Sequence, residues 1–185
     1  MHCMETGEKF GVVLIRRGRE AFGPLAEPYT IGCTAQLVQV EQGEADRYDI
    51  TAVGRERFRI LSLDRTTYPY LSAQVETYPF ANEQEGSSKM AARRLRPWVK
   101  QYMEVLGDAS DMQMDTRYLP NEPLALAFLS AFLLQIPARE KQTALEIERV
   151  DHLMDYVKQL FRREVSLMRE MLARERKNRQ GSHLN

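Results

Sequence analysis

The chain has 185 residues, 43% of them hydrophobic and 28% charged, which excludes a disordered chain and suffices for one domain with a real core or two small ones. Lys plus Arg equals Asp plus Glu at 26 each, so a net charge of zero gives no global pull toward nucleic acid or an anionic surface. No apolar run approaches the ~20 residues that cross a bilayer, no basic-then-apolar leader opens the chain, and Cys3 and Cys33 lack CxxC spacing, so free thiols in a reducing cytoplasm are expected.

Strand signals dominate as far as residue 80, and residues 9–15, 31–41, 47–53, 56–63 and 71–78 are the predicted strands. Val12 to Ile15 form a continuous apolar run, as a strand buried on both faces would. Residues 16–29 hold Gly18, Gly23, Pro24 and Pro28, too many breakers for regular structure. Ala35, Leu37 and Val40 form a mixed run, while Phe58 and Ile60 alternate with Arg57 and Arg59 at period two. Gln42-Gly43-Glu44 and Gly54-Arg55 read as turns between antiparallel neighbours. Short strands of this kind predict a small barrel or a curled antiparallel sheet.

The period changes near residue 80. Asn82 to Gly86 is a polar connector, and Ser87 or Ser88 can cap the next helix by accepting from its free backbone N–H groups. That helix is predicted to reach Val105 and stop at Gly107, with a kink or break at Pro97. Residues 107–118 read as a loop. A second helix is predicted from Glu122 to Gln135, apolar on nearly every side, so Leu126, Leu129 and Phe132 are expected in the core. Pro137 opens a short third helix through Glu146. Val150, Leu153, Met154, Val157, Leu160, Phe161, Met168 and Leu172 then mark one stripe of a last helix, and the basic tail from Arg174 is expected to fray. The fold class is therefore α+β: a β-rich, barrel-like subdomain over residues 1–80 and a helical subdomain over 81–185, together one domain.

Gly32, Thr34, Ala35, Leu37 and Val40 stand as Gly-x-Thr-Ala-x-Leu-x-x-Val, and Val53, Gly54, Arg57, Phe58 and Ile60 follow as Val-Gly-x-x-Arg-Phe-x-Ile. With Phe10 to Ile15, Tyr68 to Glu76, and Glu140-Lys141-Gln142 before Leu145-Glu146, this order and spacing resembles the substrate-binding N-terminal domain of ATP-dependent Lon proteases. Small stand-alone bacterial proteins carry the same domain. The resemblance implies a PUA-like barrel followed by a helical bundle, and a module that binds polypeptide and does no chemistry. Family members open with a Pro-Leu-Phe-Pro strand and a Phe-Glu-x-Arg-Tyr segment; here Met1 to Glu8 look like the end of the helix that follows these. An absent first strand would leave Val12 to Ile15 at an open edge, where self-association is expected.

The residues themselves carry no catalytic set. There is no Gly-x-x-x-x-Gly-Lys-Ser/Thr loop to cradle phosphates, and no cofactor or metal is expected. His152 has Glu148 one turn earlier but no third ligand at a recognisable spacing, so a helix-surface residue is the better reading. Cys33 reads as a small buried side chain rather than a nucleophile. Phe22, Tyr68, Tyr78 and Phe80, with Tyr70 beside them, are the candidate peptide-binding residues, since aromatic rings give large contact area for modest entropy cost. Core packing is the competing role, above all for Tyr70. Unfolded or extended polypeptide segments are the expected partners. The alternative is a nucleic-acid-binding PUA-like protein, using Arg55, Arg57 and Arg59 together with Arg93, Arg94, Arg96 and Lys100 near Trp98.

Overall fold

A computed structural model describes residues 7–19, 26–44, 47–68, 70–83, 85–110 and 114–182, with the side chains of 109–110 and 175–182 excepted. Six strands come first: β1 (Phe10–Val12), β2 (Ile15–Arg17), β3 (Glu27–Pro28), β4 (Ile31–Gln42), β5 (Tyr48–Asp64) and β6 (Ser72–Thr77). Helices α1 (Gly86–Ser110), α2 (Pro123–Leu133), α3 (Ala138–Glu146) and α4 (Val150–Ser182) follow, with a short 3-10 turn at Thr116–Tyr118. The chain divides into two compact units, Met1–Pro79 and Phe80–Asn185. No described helix is long and apolar enough to cross a membrane.

In the first unit β1, β4, β5 and β6 form one antiparallel sheet in that order, and β2 pairs with β3 in a separate ladder. The expected barrel does not close among the described residues. β1 pairs only with Cys33 to Ala35, and β1 and β6 end the sheet as its two edges, so the curled open sheet is the form adopted.

Three local expectations are corrected. The run Val12 to Ile15 is not one buried strand: β1 and β2 lie in different sheets, and Val12 is exposed. The breaker-rich segment does contribute a strand, because Pro28 needs no N–H at the end of so short a ladder and Tyr29 donates to the Leu14 carbonyl at 2.8 Å. Gly54-Arg55 is not a turn, since β5 runs straight through it. Arg55 and Glu56 together oppose Thr34, a bulge in the β4–β5 ladder. The Thr34 hydroxyl holds that bulge, accepting from the Glu56 N–H at 3.1 Å and donating to the Glu56 carbonyl at 3.2 Å.

The second unit carries most of the buried apolar side chains. Leu95, Val99 and Tyr102 of α1 meet Val157, Phe161 and Val165 of α4 in its core, with the Tyr102 and Phe161 rings edge to face at 5.1 Å. α1 continues through the exposed Pro97, where water can reach the carbonyl that loses its donor, and passes Gly107 to end at Ser110. α4 stays helical past Arg174 to Ser182. Phe132 is not core. Leu126, Ala127 and Ser130 turn one face of α2 inward, which leaves Phe132 77% exposed and Phe128 partly so. An all-round apolar sequence says that a helix can be buried, but only the Leu126, Ala127 and Ser130 face of α2 is fully so.

A polar latch joins the starts of α1 and α4. Asn82 takes a left-handed backbone (φ 56°), its side-chain oxygen accepts from the Val150 N–H at 3.0 Å, and its amide donates to Ser87 Oγ at 3.1 Å. Ser88, fully buried, donates to the Asn82 carbonyl at 2.6 Å. Beside it Asp151 is held well below the usual carboxylate range, first by Arg149, then by the Asn82 side chain, the His152 N–H and Ser87.

Candidate functional site

The first unit has a thin core. Among its described apolar side chains only Pro28, Ile31, Ala35, Phe58 and Tyr78 are buried. Much of the remaining apolar area instead lines a concavity of about 980 Å³ over one face of the sheet.

Pairing register explains why that face is apolar. Directly paired residues project to the same side. Ile60 faces Val75 and Leu63 faces Ala73 across β5–β6, and all four line the concavity. In a regular strand Ile60 and Leu63, three apart, would point to opposite faces. Leu61 is the extra residue of a bulge, which restores both to one side. The same device recurs in β4, where Val38 is extra. Leu37 and Val40 therefore share a face with their partners Ala52 and Ile50, and Leu37 and Ile50 line the concavity.

Beyond Cys33–Ala35 on one side and Phe58–Asp64 on the other, β4 and β5 have only each other as ladder partners. Their far ends form a two-stranded ribbon exposed at every described residue from Val38 to Glu56. One face carries Leu37, Val40, Tyr48 and Ile50 with Gln42; the other carries Gln36, Gln39, Glu41, Asp49 and Thr51 with Val53. The apolar face continues the floor of the concavity into solvent, with Ile50 53% exposed.

Tyr68, Tyr70 and Leu71, in the connection between β5 and β6, form one wall. The Tyr68 and Tyr70 rings stack at 5.4 Å and 12°. Asp64 shapes that connection: its carboxylate accepts from the Thr66 and Thr67 N–H groups at 2.9 and 3.1 Å and from the Thr66 hydroxyl at 3.1 Å. The Thr67 side chain first, then these backbone donors, hold the Asp64 carboxyl well below its ordinary range. Glu8 and Lys9 are the only charged residues in its described lining, and Lys9 is bonded to Glu56 at 3.1 Å. The described surface is thus mostly apolar and aromatic, with one acid and one base at its edge.

The structure separates the sequence-predicted site residues. Tyr68 is exposed and joins Tyr70, which belongs to the wall and not to a core. Tyr78 is only 9% exposed, with the guanidinium carbons of Arg57 and Arg59 lying 4.6 and 4.4 Å from its ring centroid, so it presents no open contact face. Phe80 belongs to the helical unit, where it packs edge to face on Phe128 at 5.5 Å. Phe22 lies outside the described residues. Ile50, Leu63 and Val75 were missed. Their signal is an excess of apolar strand residues over what so small a unit can bury.

The arginines of β5 do not make one cationic face. Arg57 is buried beside Tyr78, Arg59 pairs with Glu76 at 3.1 Å, and Arg55 donates to Gln36 at 3.1 Å. Cys33 is half-buried, not buried, and its thiol donates to the Thr34 carbonyl at 3.3 Å. His152 is exposed on α4, and among the described residues no group of three or more His, Cys, Asp or Glu could hold a metal ion.

A family model described as the ATP-dependent protease La (LON) substrate-binding domain matches residues 1–163. The fold is similar to the crystal structure of a Lon N-terminal domain protein from Xanthomonas campestris, at 16% identity over 83% of this chain and 76% of that one, with a TM-score of 0.53. It is also similar to the N-terminal domain of a Mycobacterium avium complex Lon protease, at 15% identity over 84% of this chain and 90% of that one, with a TM-score of 0.59. A comparison with curated proteins gives no match.

Proposed function

The chain belongs to the family of Lon substrate-binding domains, and from that premise we propose that it is a non-catalytic module that binds unfolded or extended polypeptide segments. The observation that carries this reading is the concavity over the β4–β5–β6 face. At about 980 Å³ it has room for several side chains at once, and its lining is apolar with stacked tyrosines at one wall. A near-neutral lining favours uncharged, apolar stretches of the bound chain, the kind that a folded protein hides and an unfolded one exposes. The outer edges of β1 and β6, unpaired among the described residues, add main-chain donors and acceptors for such a segment.

The module carries no turnover of its own in this reading. Its substrate is handed on or retained, and the purified chain cleaves neither ATP nor a casein-like protein.

The test is fluorescence anisotropy with a labelled, reduced and alkylated protein that cannot fold. Ile50→Asp and Val75→Asp each place a charge on the exposed apolar floor without emptying the core. Each is expected to weaken binding about tenfold or more, in line with the cost of setting a charge against an apolar contact. Unchanged affinity in both variants, or no binding by the unaltered chain, overturns the reading.

A further inference from the structure

A second surface lies on the helical unit, outside the concavity. Residues 86–103 of α1 contain Lys89, Arg93, Arg94, Arg96 and Lys100 and not one acid. Asp and Glu number 26 in 185 residues, so eighteen residues would ordinarily hold two or three. Lys89, Arg93, Arg96 and Lys100 follow one another at spacings of four, three and four, which aligns them along one side of a helix. The row spans about 16 Å at 1.5 Å per residue.

Glu85 and Glu104 stand one turn beyond the two ends of the row, and neither forms an ion pair with it among the described residues. Among the described residues Lys89, Arg93 and Lys100 have no acidic partner within ion-pair distance. Arg96 is anchored by donating to the Leu119 carbonyl at 3.3 Å and to the Pro120 carbonyl, which fixes its direction and leaves its charge uncompensated. Arg94 alone meets a carboxylate, Asp155 at 3.5 Å, and that carboxylate is shared with Lys158. In a chain of zero net charge this is a local positive field, assembled on one face and left open.

We propose that this face of α1 docks an acidic polypeptide segment that carries apolar residues among its acids. Charge complementarity selects an anionic partner. The rest of the face selects its class. Met90, 60% exposed, and the exposed Pro97 lie among the cations and offer apolar contact. Within α1 no aromatic residue shares the side of the row to stack a base, since Trp98 and Tyr102 each fall two residues from a member of the row and so on the far side of the helix. A row of separate cations with apolar gaps matches a chain that alternates carboxylates with apolar side chains better than it matches a continuous phosphate backbone.

The test uses the full chain and three labelled probes of equal length: a Glu/Leu peptide, the same peptide with Gln for Glu, and an oligouridylate. The Glu/Leu peptide is expected to bind, to weaken about tenfold or more as salt rises from ~0.05 to ~0.3 M, and to lose binding in the triple variant Lys89→Glu, Arg93→Glu, Lys100→Glu. The triple variant is expected to keep the affinity of the unaltered chain for the reduced and alkylated protein that probes the concavity, which separates the two surfaces. Should the triple reversal fail to fold, Lys89→Gln with Lys100→Gln and the salt series on the unaltered chain give the same reading. Equal binding of the Gln peptide, indifference to the substitutions, or tighter binding of the oligouridylate overturns the proposal.

Discussion

The Phe58 ring closes directly over Gly32, its cross-strand partner: a Cβ on Gly32 would lie 2.6 Å from the ring's Cζ. The same Cβ would meet Val13 Cγ1 at 2.6 Å and the Val12 carbonyl oxygen at 2.7 Å. Backbone on one side and a buried ring on the other leave no cheap relief. Gly32→Ala is therefore expected to cost about 1–3 kcal/mol, the usual range for overpacking. Urea unfolding measures it, and a loss below ~0.5 kcal/mol would mean that the ring moves aside freely.

Phe132 and Phe161 make the opposite comparison. Phe161 is fully buried against Tyr102, whereas Phe132 is mostly exposed on α2. Phe161→Ala is expected to cost about 3–5 kcal/mol, and Phe132→Ala less than ~1 kcal/mol. Equal losses in chemical denaturation would contradict this packing.

Sequence patterning conveys the strand-to-helix change near residue 80 because the apolar period itself changes there, from two to 3.6. It conveys α4 for the same reason, since Val150 to Leu172 repeat without interruption. It fails where one residue breaks the period. Val38 and Leu61 are bulge residues, so Leu37 with Val40 and Ile60 with Leu63 share a face at a spacing of three, which no strand template matches. That is why the floor of the concavity was not legible. Tyr68 is exposed, as its turn-rich connection suggests, whereas for Tyr70 local pattern left core packing as the competing role, since exposure depends on what lies across the sheet. Tyr78 erred the other way: nothing in the sequence places Arg57 and Arg59 on its ring.

Thr34 ties the β4–β5 bulge through one hydroxyl, which both accepts from and donates to the Glu56 backbone. Thr34→Val keeps the shape and removes both bonds, at an expected cost of about 1–2 kcal/mol. Thr34 also lines the concavity, so polypeptide binding is expected to weaken along with stability. A variant that loses neither, by urea unfolding and anisotropy, would show that the bulge holds its register unaided.

Asp151 makes stability depend on acid. Its folded pKa is depressed, chiefly by Arg149, so its ionised form contributes fully above the unfolded value of ~3.9. The contribution falls away as pH drops below that value toward the folded one. Its side chain is 14% exposed, so solvent screens the pair only in part. Asp151→Asn is expected to lose about 1–3 kcal/mol at pH 7, and to fall less steeply than the unaltered chain between ~pH 4 and ~pH 2. Parallel pH curves for the two proteins would remove Asp151 from acid unfolding.

Asp64 holds the connection that presents Tyr68 and Tyr70, without itself lining the concavity. Asp64→Ala frees the Thr66 and Thr67 N–H groups and lets the tyrosine wall sample other positions, so the loss should fall on binding more than on stability. Affinity for an unfolded polypeptide is expected to drop about three- to tenfold, with the unfolding midpoint nearly unchanged. The depressed pKa keeps the carboxylate ionised throughout the neutral range, so binding to the unaltered chain should be flat from ~pH 5 to ~pH 8 as far as this group decides it. Asp64→Asn keeps one acceptor for the two N–H groups and is expected to retain most of the affinity. If Asn and Ala weaken binding equally while Tyr70→Ala has no effect, the tyrosine wall is not part of the contact, and Asp64 serves the turn alone.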